Sequence, residues 1–386
     1  MRRVSVIGAG VARFGVRREG LSALVAEAGR LALADAGVSP GEIGAFYLGN
    51  YAGDAFVRQN HLAPWCAGAL GLDGVPCTRI EGACASSGLA FLQGVQAVAS
   101  GLYDVVMVAG GEKMTATPLA ETTEHLSAAG EWEEEVLAGA TFPALFALVA
   151  RRHMHQYGTS REAMAEVAVK NHANALHNPN AHFHKRITRE DVLNAKPIAE
   201  PLGLYDCSPV SDGAAALILC PADRAADSKE APVEILGYGQ ASDHLALYAK
   251  ADITRFSATE RAARAAFSMA GLSPEAVDVI EVHDCFTIAE ITAIEDIDFV
   301  EKGEGGPATL EGYTALGGPK PVNASGSLKA KGHPVGATGA AQIAEVVTQL
   351  RGLAEGRQVA GAEVGLVHNL GGSGATCAVT ILGKRP

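Results

Sequence analysis

The phrase Ala36-Gly37-Val38-Ser39-Pro40-Gly41-Glu42-Ile43 returns as Ala270-Gly271-Leu272-Ser273-Pro274-Glu275-Ala276-Val277. In both copies an Ala-rich amphipathic helix precedes the phrase and an apolar strand follows it. Another strand stands upstream of each, Val4–Gly8 in the first half and Val233–Gly237 in the second. Downstream, the first half continues with a helix from Cys84 to about Gly101 and the strand Asp104–Ala109. The second continues with a helix after Gly332-His333-Pro334 reaching Leu350 and the strand Val364–Val367. Strands alternating with helical patterns predict βαβ units on a mostly parallel sheet, so the chain reads as a duplicated α/β fold with two stacked halves. The boundaries expected are 1–228 and 229–386.

The first half carries a long insertion, roughly 115–205, with helical segments at Phe142–His155 and Arg161–Ala175. An excursion of that length from one half of a repeat covers a site or builds an oligomer interface. Asn171, His172 and His177 fall on or just beyond its second helix and read as a polar helix face. Gly8-Ala9-Gly10-Val11-Ala12-Arg13 follows the first strand signal, but Arg13 occupies the third glycine position of a dinucleotide fingerprint. The glycines read instead as a turn passing close to the neighbouring half.

A net charge of -12 and the absence of a basic stripe argue against nucleic-acid binding. The apolar run at the N-terminus is too short for a signal peptide or a membrane span, so the expected location is the cytoplasm. Seven cysteines without CxxC spacing read as reduced thiols, with no metal site. Cys66, Cys77 and Cys220 read as core filler.

Cys84 opens the small-residue run Gly82-Ala83-Cys84-Ala85-Ser86-Ser87-Gly88. A thiol at a helix N-terminus faces unpaired N–H groups, which draw its pKa from about 8.5 toward the range of roughly 3.5–7.5 seen in reactive cysteines. Three His motifs lie far downstream: His283-Asp284-Cys285-Phe286, Gly332-His333-Pro334-Val335-Gly336-Ala337-Thr338-Gly339 and His368-Asn369-Leu370-Gly371-Gly372-Ser373-Gly374. Each adjoins a strand end or opens a helix, where α/β sheets present ligand sites. A cysteine nucleophile served by distant bases points to acyl transfer. Asp284 reads as a backbone-bonding turn residue, and so do Asp206 and Asp212.

Together the Cys-Ala-Ser-Ser-Gly, Gly-His-Pro-x-Gly-Ala-Thr-Gly and C-terminal glycine segments resemble the thiolase superfamily over essentially the whole chain. His-Asp-Cys-Phe, standing where conventional thiolases have Asn-Glu-Ala-Phe, is closest to the branch of sterol-carrier-type thiolases and archaeal or bacterial acetoacetyl-CoA thiolases. The resemblance implies a five-layered αβαβα fold, coenzyme A thioesters as substrates, no permanently bound cofactor and no metal. Conventional thiolases place a second catalytic cysteine just before the C-terminal glycine cluster, where this chain has His368-Asn369; Cys377 nearby reads as buried. The missing thiol is then supplied by Cys285.

On that resemblance Cys84 is the acyl acceptor and His333 its base. Cys285 is the acid/base thiol, and His283 with His333 stabilises an enolate. Backbone N–H groups at Cys84 and in the turn Leu370-Gly371-Gly372 form an oxyanion hole, with His368 and Asn369 supporting the site. Lys185 and Arg186 are the candidates for CoA phosphates. Homodimers or tetramers are implied, with a small OB-fold zinc-ribbon protein and an acetoacetyl-CoA-consuming synthase as further partners. The activity expected is reversible condensation and thiolysis of a 3-oxoacyl-CoA, acetoacetyl-CoA by default. Acyl transfer to another acceptor, a bulkier 3-oxoacyl-CoA, and a non-catalytic acyl-CoA-binding scaffold remain as alternatives.

Overall fold

A computed structural model describes residues 2–384 of the chain. The first half runs β1 (Val4–Gly15), α1 (Leu21–Ala36), β2 (Ala45–Gly49), β3 (Cys77–Ile80), α2 (Ser86–Ala99) and β4 (Val106–Glu112). The insertion follows, with α3 (Phe142–Tyr157) and α4 (Arg161–Ala175), and β5 (Asp212–Pro221) closes the half. The second half runs β6 (Val233–Ser242), α5 (Ser257–Ala270), β7 (Val279–Glu281), α6 (Thr287–Asp296), α7 (Thr338–Leu350), β8 (Val364–Gly371) and β9 (Thr376–Lys384).

The repeated phrase has one structural cause. Gly37 and Gly271 end α1 and α5 in the left-handed region, at φ of 69° and 66°, and donate their N–H groups to Leu33 O and Phe267 O. Such a cap strains any side-chain-bearing residue. The Ser-Pro that follows opens a 3-10 turn in each copy (Pro40–Glu42 and Pro274–Ala276) and feeds the next strand.

Strand order is β3-β2-β4-β5-β1-β6-β9-β8-β7, two half-sheets joined edge to edge by a short β1–β6 pairing at Ser5 and Val6. Helix α1 packs on the outer face of the first half-sheet and α5 on that of the second; α2 and α7 lie between the two. Outer helices, sheet, central helices, sheet and outer helices make the five layers the sequence resemblance implies. The sheet is mixed rather than mostly parallel. Only β2–β3, β2–β4 and β7–β8 are parallel, because β5 returns antiparallel after the insertion and β9 follows β8 through a tight turn that requires no crossover helix.

The Gly8–Arg13 run is not a turn at all. It lies inside β1, and a Cβ at Gly8 or Gly10 would come within 2.3 Å of Ala32 O or Ala28 O. These glycines therefore let the strand lie against its own helix α1, not against the neighbouring half, and no phosphate-binding loop is formed. The insertion folds back over the second half, α4 packing on α6 and on the turn Ser327–Lys331. That packing overturns the polar-face reading for two residues. Asn171 and His172 are buried, while His177 is exposed as expected.

Candidate active site

The central helices meet N-terminus to N-terminus, and the site is built where they meet. A Cβ on Gly339 would stand 2.5 Å from Gly88 N, and one on Gly88 2.5 Å from Asn369 Oδ1, so the crossing needs glycine at 339 and the contact with Asn369 needs it at 88. Cys84 sits just before α2, in the 3-10 turn Ala83–Ala85, and the α-helix itself starts at Ser86. Ala83 takes a positive φ of 51°, a conformation disfavoured for a residue with a Cβ and held here beside the Cys84 thiol.

Asn369, on β8, links three parts of the site. Its Oδ1 accepts the Gly88 N–H (3.2 Å), and its Nδ2 donates to Cys84 O (2.9 Å) and faces His283 Nδ1 (3.3 Å). The first two bonds fix the amide orientation. Because an amide N–H only donates, His283 Nδ1 accepts and its proton sits on Nε2. His333 has the opposite tautomer. Thr338 Oγ1 gives its one proton to Pro334 O (3.1 Å) and so accepts from His333 Nδ1 (2.7 Å), leaving a lone pair on Nε2. The two rings stand nearly perpendicular, centroids 5.1 Å apart. One imidazole thus offers a proton and the other takes one.

Cys84 Sγ and one ring nitrogen from each of His283 and His333 lie within 4.8 Å of one another. This thiol and two imidazoles are also a donor set of the kind that holds soft divalent cations. Cys84, His333, Cys285 and Gly372 line one cavity of about 440 Å³, walled by Met114, Leu126, Phe142, Phe146, Phe286 and other apolar side chains.

Burial dominates the electrostatics. It pushes the Cys84 thiol up to about 12, partly offset by the Gly372 N–H directed at the sulfur and reinforced by the nearby Glu112 carboxyl. The lowered thiol pKa expected from the sequence is therefore not realised. Loss of solvent around the thiolate outweighs the helix-start N–H groups. Burial also holds His333 down at about 3 and His283 well below the ordinary imidazole range, and raises Cys285 well above that of a free thiol. The resting pair is neutral thiol and neutral imidazole. Inactivation by iodoacetamide should accordingly accelerate about tenfold per pH unit from pH 6 to 9, since thiolate is the reactive form and its fraction keeps rising below its pKa. A plateau near neutrality in that rate profile would instead reveal a preformed thiolate–imidazolium pair.

The other sequence candidates divide. Gly371 packs against Cys84's turn, where a Cβ would lie 2.3 Å from Gly82 O, and Leu370 is core. His368 stands behind His283, accepting its backbone N–H at 3.4 Å and meeting Thr259 Oγ1 at 3.0 Å, and does not line the cavity. Lys185 and Arg186 are exposed, and neither lines the cavity either. Lys185 reaches only Tyr205 Oη at 3.5 Å, one residue beyond Leu204 on the rim. Cys377 is buried on β9.

Several supporting residues had no site role in the sequence reading. Glu112, at the end of β4, accepts from Tyr51 N, Asn50 Nδ2 and Gly336 N at 2.9–3.0 Å, and so ties the His333 turn to the first half. Burial raises it to about 7 against those donors. Behind the His283–Phe286 loop, Asn171 Nδ2 donates to Asp284 Oδ2 (2.7 Å) and Glu290 Oε2 (2.8 Å), while Asp284 Oδ1 accepts Leu328 N (2.8 Å) and Asn323 Oδ1 accepts Val282 N (2.9 Å). Asp284 is thus the backbone-bonding residue its position suggested. These carboxamide and carboxylate contacts join residues from 41 to 224 positions apart, which is why no local pattern announces them.

Comparison with known proteins accords with this architecture. The chain is 51% identical over 385 residues to an acetyl-CoA acetyltransferase of Methanothermobacter thermautotrophicus, covering all of both chains. It is 36% identical to sterol carrier protein 2 of Gallus gallus, covering 97% of this chain and 70% of that protein. The solved Ltp2-ChsH2(DUF35) aldolase superposes with a TM-score of 0.85 at 26% identity, over 99% of this chain and 98% of that one. Residues 4–223 match the family model for the thiolase N-terminal domain and residues 239–384 that for the thiolase C-terminal domain-like family, so the chain belongs to the thiolase family.

Proposed function

We propose that this chain is a thiolase that makes and cleaves a 3-oxoacyl-CoA through an acyl-Cys84 intermediate, with acetoacetyl-CoA as the first substrate to test. The observation that carries the reading is the convergence of Cys84, His283 and His333 within 4.8 Å beside an apolar cavity that Cys285 also lines. Family membership and the acetyl-CoA acetyltransferase relative support it.

The tautomers suggest the proton path. Cys84 passes its proton to His333 Nε2 as sulfur attacks the thioester carbon. The resulting oxyanion is met by the N–H groups of Cys84 and Gly372. CoA thiolate leaves and takes the Cys285 proton, which makes Cys285 a thiolate. That thiolate removes an α-proton from the second acyl-CoA, and His283 Nε2–H stabilises the enolate oxygen. The enolate carbon attacks the acyl group, and departing Cys84 recovers its proton from His333. Every proton is returned, and the reverse sequence is thiolysis.

Among the described residues no Lys or Arg lines the cavity. CoA phosphates therefore need cations beyond the rim, from Lys185 and Arg186 or from another chain. We assign that second role to a small DUF35-like OB-fold zinc-ribbon protein, in line with the Ltp2-ChsH2(DUF35) aldolase, and the active form to a homodimer or tetramer. A synthase consuming acetoacetyl-CoA is the matching downstream partner. No helix among the described residues is long and apolar enough to cross a membrane, and a cytoplasmic location is part of the same proposal.

Incubation with acetyl-CoA followed by peptide mass analysis should place one acetyl group on Cys84; a scaffold that merely binds acyl-CoA gives no adduct. The 440 Å³ apolar cavity also favours a second reading, a bulkier 3-oxoacyl chain, and a thiolysis panel of increasing acyl length separates the two by where kcat/KM peaks.

A further inference from the structure

We infer that Cys84, His283 and His333 also form a capture site for zinc or a similar soft divalent cation, which occupies the reacting centre and silences it. The inference rests on the proposed function only in that silencing requires Cys84 to be the acyl acceptor; the cation site itself rests on geometry. Thiolate plus two imidazoles with an open fourth position is a donor set zinc takes readily, with bonds of about 2.3 Å to sulfur and about 2.0–2.1 Å to nitrogen. Donors around one ion then stand roughly 3.5 Å apart. The three atoms here start within 4.8 Å of one another, so closure needs about an ångström of side-chain movement.

His333 is already oriented for the purpose. Its Nδ1 is held by Thr338 at 2.7 Å, the outer hydrogen bond that metal-binding histidines characteristically make, and Nε2 keeps its lone pair. His283 is the more reluctant ligand. Its proton must move from Nε2 to Nδ1, at the loss of the long 3.3 Å contact with Asn369. Cys84 supplies the charge, its S–H bond breaking and an S–metal bond forming as one proton is released to solvent. The cavity that admits acyl chains is the entry path.

The site selects against magnesium and calcium. Hard cations need oxygen ligands, and among the described residues no Asp or Glu lines the cavity. The carboxylates of Glu112 and Asp284, which bear on Cys84 and Cys285, are committed elsewhere: Glu112 accepts from the N–H groups of Asn50, Tyr51, Ala52 and Gly336, and Asp284 from Asn171 Nδ2 and Leu328 N.

The test uses the full-length protein, stripped with a chelator and kept in a non-thiol reductant, with Co2+ as the spectroscopic probe. The expected result is one Co2+ per chain with a sulfur-to-cobalt charge-transfer band, displaced by Zn2+ and unaffected by excess Mg2+ or Ca2+. Cys84→Ser should remove the band, and His333→Ala and His283→Ala should each weaken binding at least tenfold, with circular dichroism confirming the fold. Cys77→Ser, outside the site, should bind as the parent does. In parallel, Zn2+ should suppress acetylation of Cys84 in proportion to occupancy and a chelator should restore it. Metal-free enzyme that acetylates normally but shows no Co2+ band, or a band that survives all three ligand substitutions, overturns the capture site while leaving the proposed function standing. A band without any acetylation of metal-free enzyme retains the site and overturns the function.

Discussion

Cys84→Ala should leave a folded protein that takes no acetyl group from acetyl-CoA and has lost thiolase turnover by a factor on the order of 10⁴–10⁶, the scale on which removal of a covalent nucleophile acts. The fold should survive because the change removes one sulfur at the edge of a cavity rather than a packed core atom. Cys84 is only partly buried, and its turn is held by backbone and neighbouring groups: Asn369 Nδ2 on Cys84 O, and Ser86 Oγ bridging Gly82 N and Ala83 O. A melting temperature close to the parent's, together with absent acetyl transfer, is therefore the expected pair of results. The informative alternative is an adduct that persists. Cys207 and Cys285 line the same cavity, so acetylation found on either of them in this variant, with appreciable turnover, would mean that the nucleophile has been misassigned.

The duplication was legible in the linear sequence because it rests on local chemistry: a helix end that only glycine fits comfortably and a Ser-Pro turn, used twice. The same is true of the positions of Cys84, His283 and His333, each of which opens a short-range motif at the end of a strand or before a helix. Strand direction was less legible. Nothing in Ala215–Leu219 records that β5 lies antiparallel to β1 and β4, since apolar runs look alike in either orientation. Electrostatics was least legible of all. The expectation for Cys84 counted the N–H groups at its own turn but could not count the walls, Phe142, Phe146 and Phe286 among them, which arrive from the insertion and the opposite half. Glu112 went unmarked and Asn171 was read only as part of a polar helix face for a related reason, since each acts on a loop far away in the chain. Even Gly88 and Gly339, visible as motif glycines, acquire their reason only once Asn369 is set against α2 and the two central helices are laid across each other.

Cys285→Ala should separate the two halves of the reaction. Acylation of Cys84 depends chiefly on the His333 lone pair and the N–H groups at the sulfur, and the departing CoA thiolate can collect a proton from water. Exchange of labelled CoA into acetyl-CoA should then fall by less than about 10²-fold. Removing a proton from carbon has no such substitute, because water is a feeble base. Condensation should fall by about 10⁴-fold, the upper end of what a positioned general base contributes. The environment of Cys285 suits that task. Burial, with Cys84 and Asp284 adding to it, holds the thiol well above its ordinary pKa, which makes its thiolate, once formed by giving a proton to CoA, a strong base toward a weakly acidic α-carbon. The loop should tolerate alanine, since Phe286 stacked on Phe146 at 4.7 Å and the Asp284–Leu328 bond hold it without the sulfur. Equal losses in exchange and condensation would show that the substitution had disturbed the shared site rather than one step. Undiminished condensation would move the carbon base to another group, and His283, whose Nε2–H would then have to be a lone pair, is the residue that this outcome would indict.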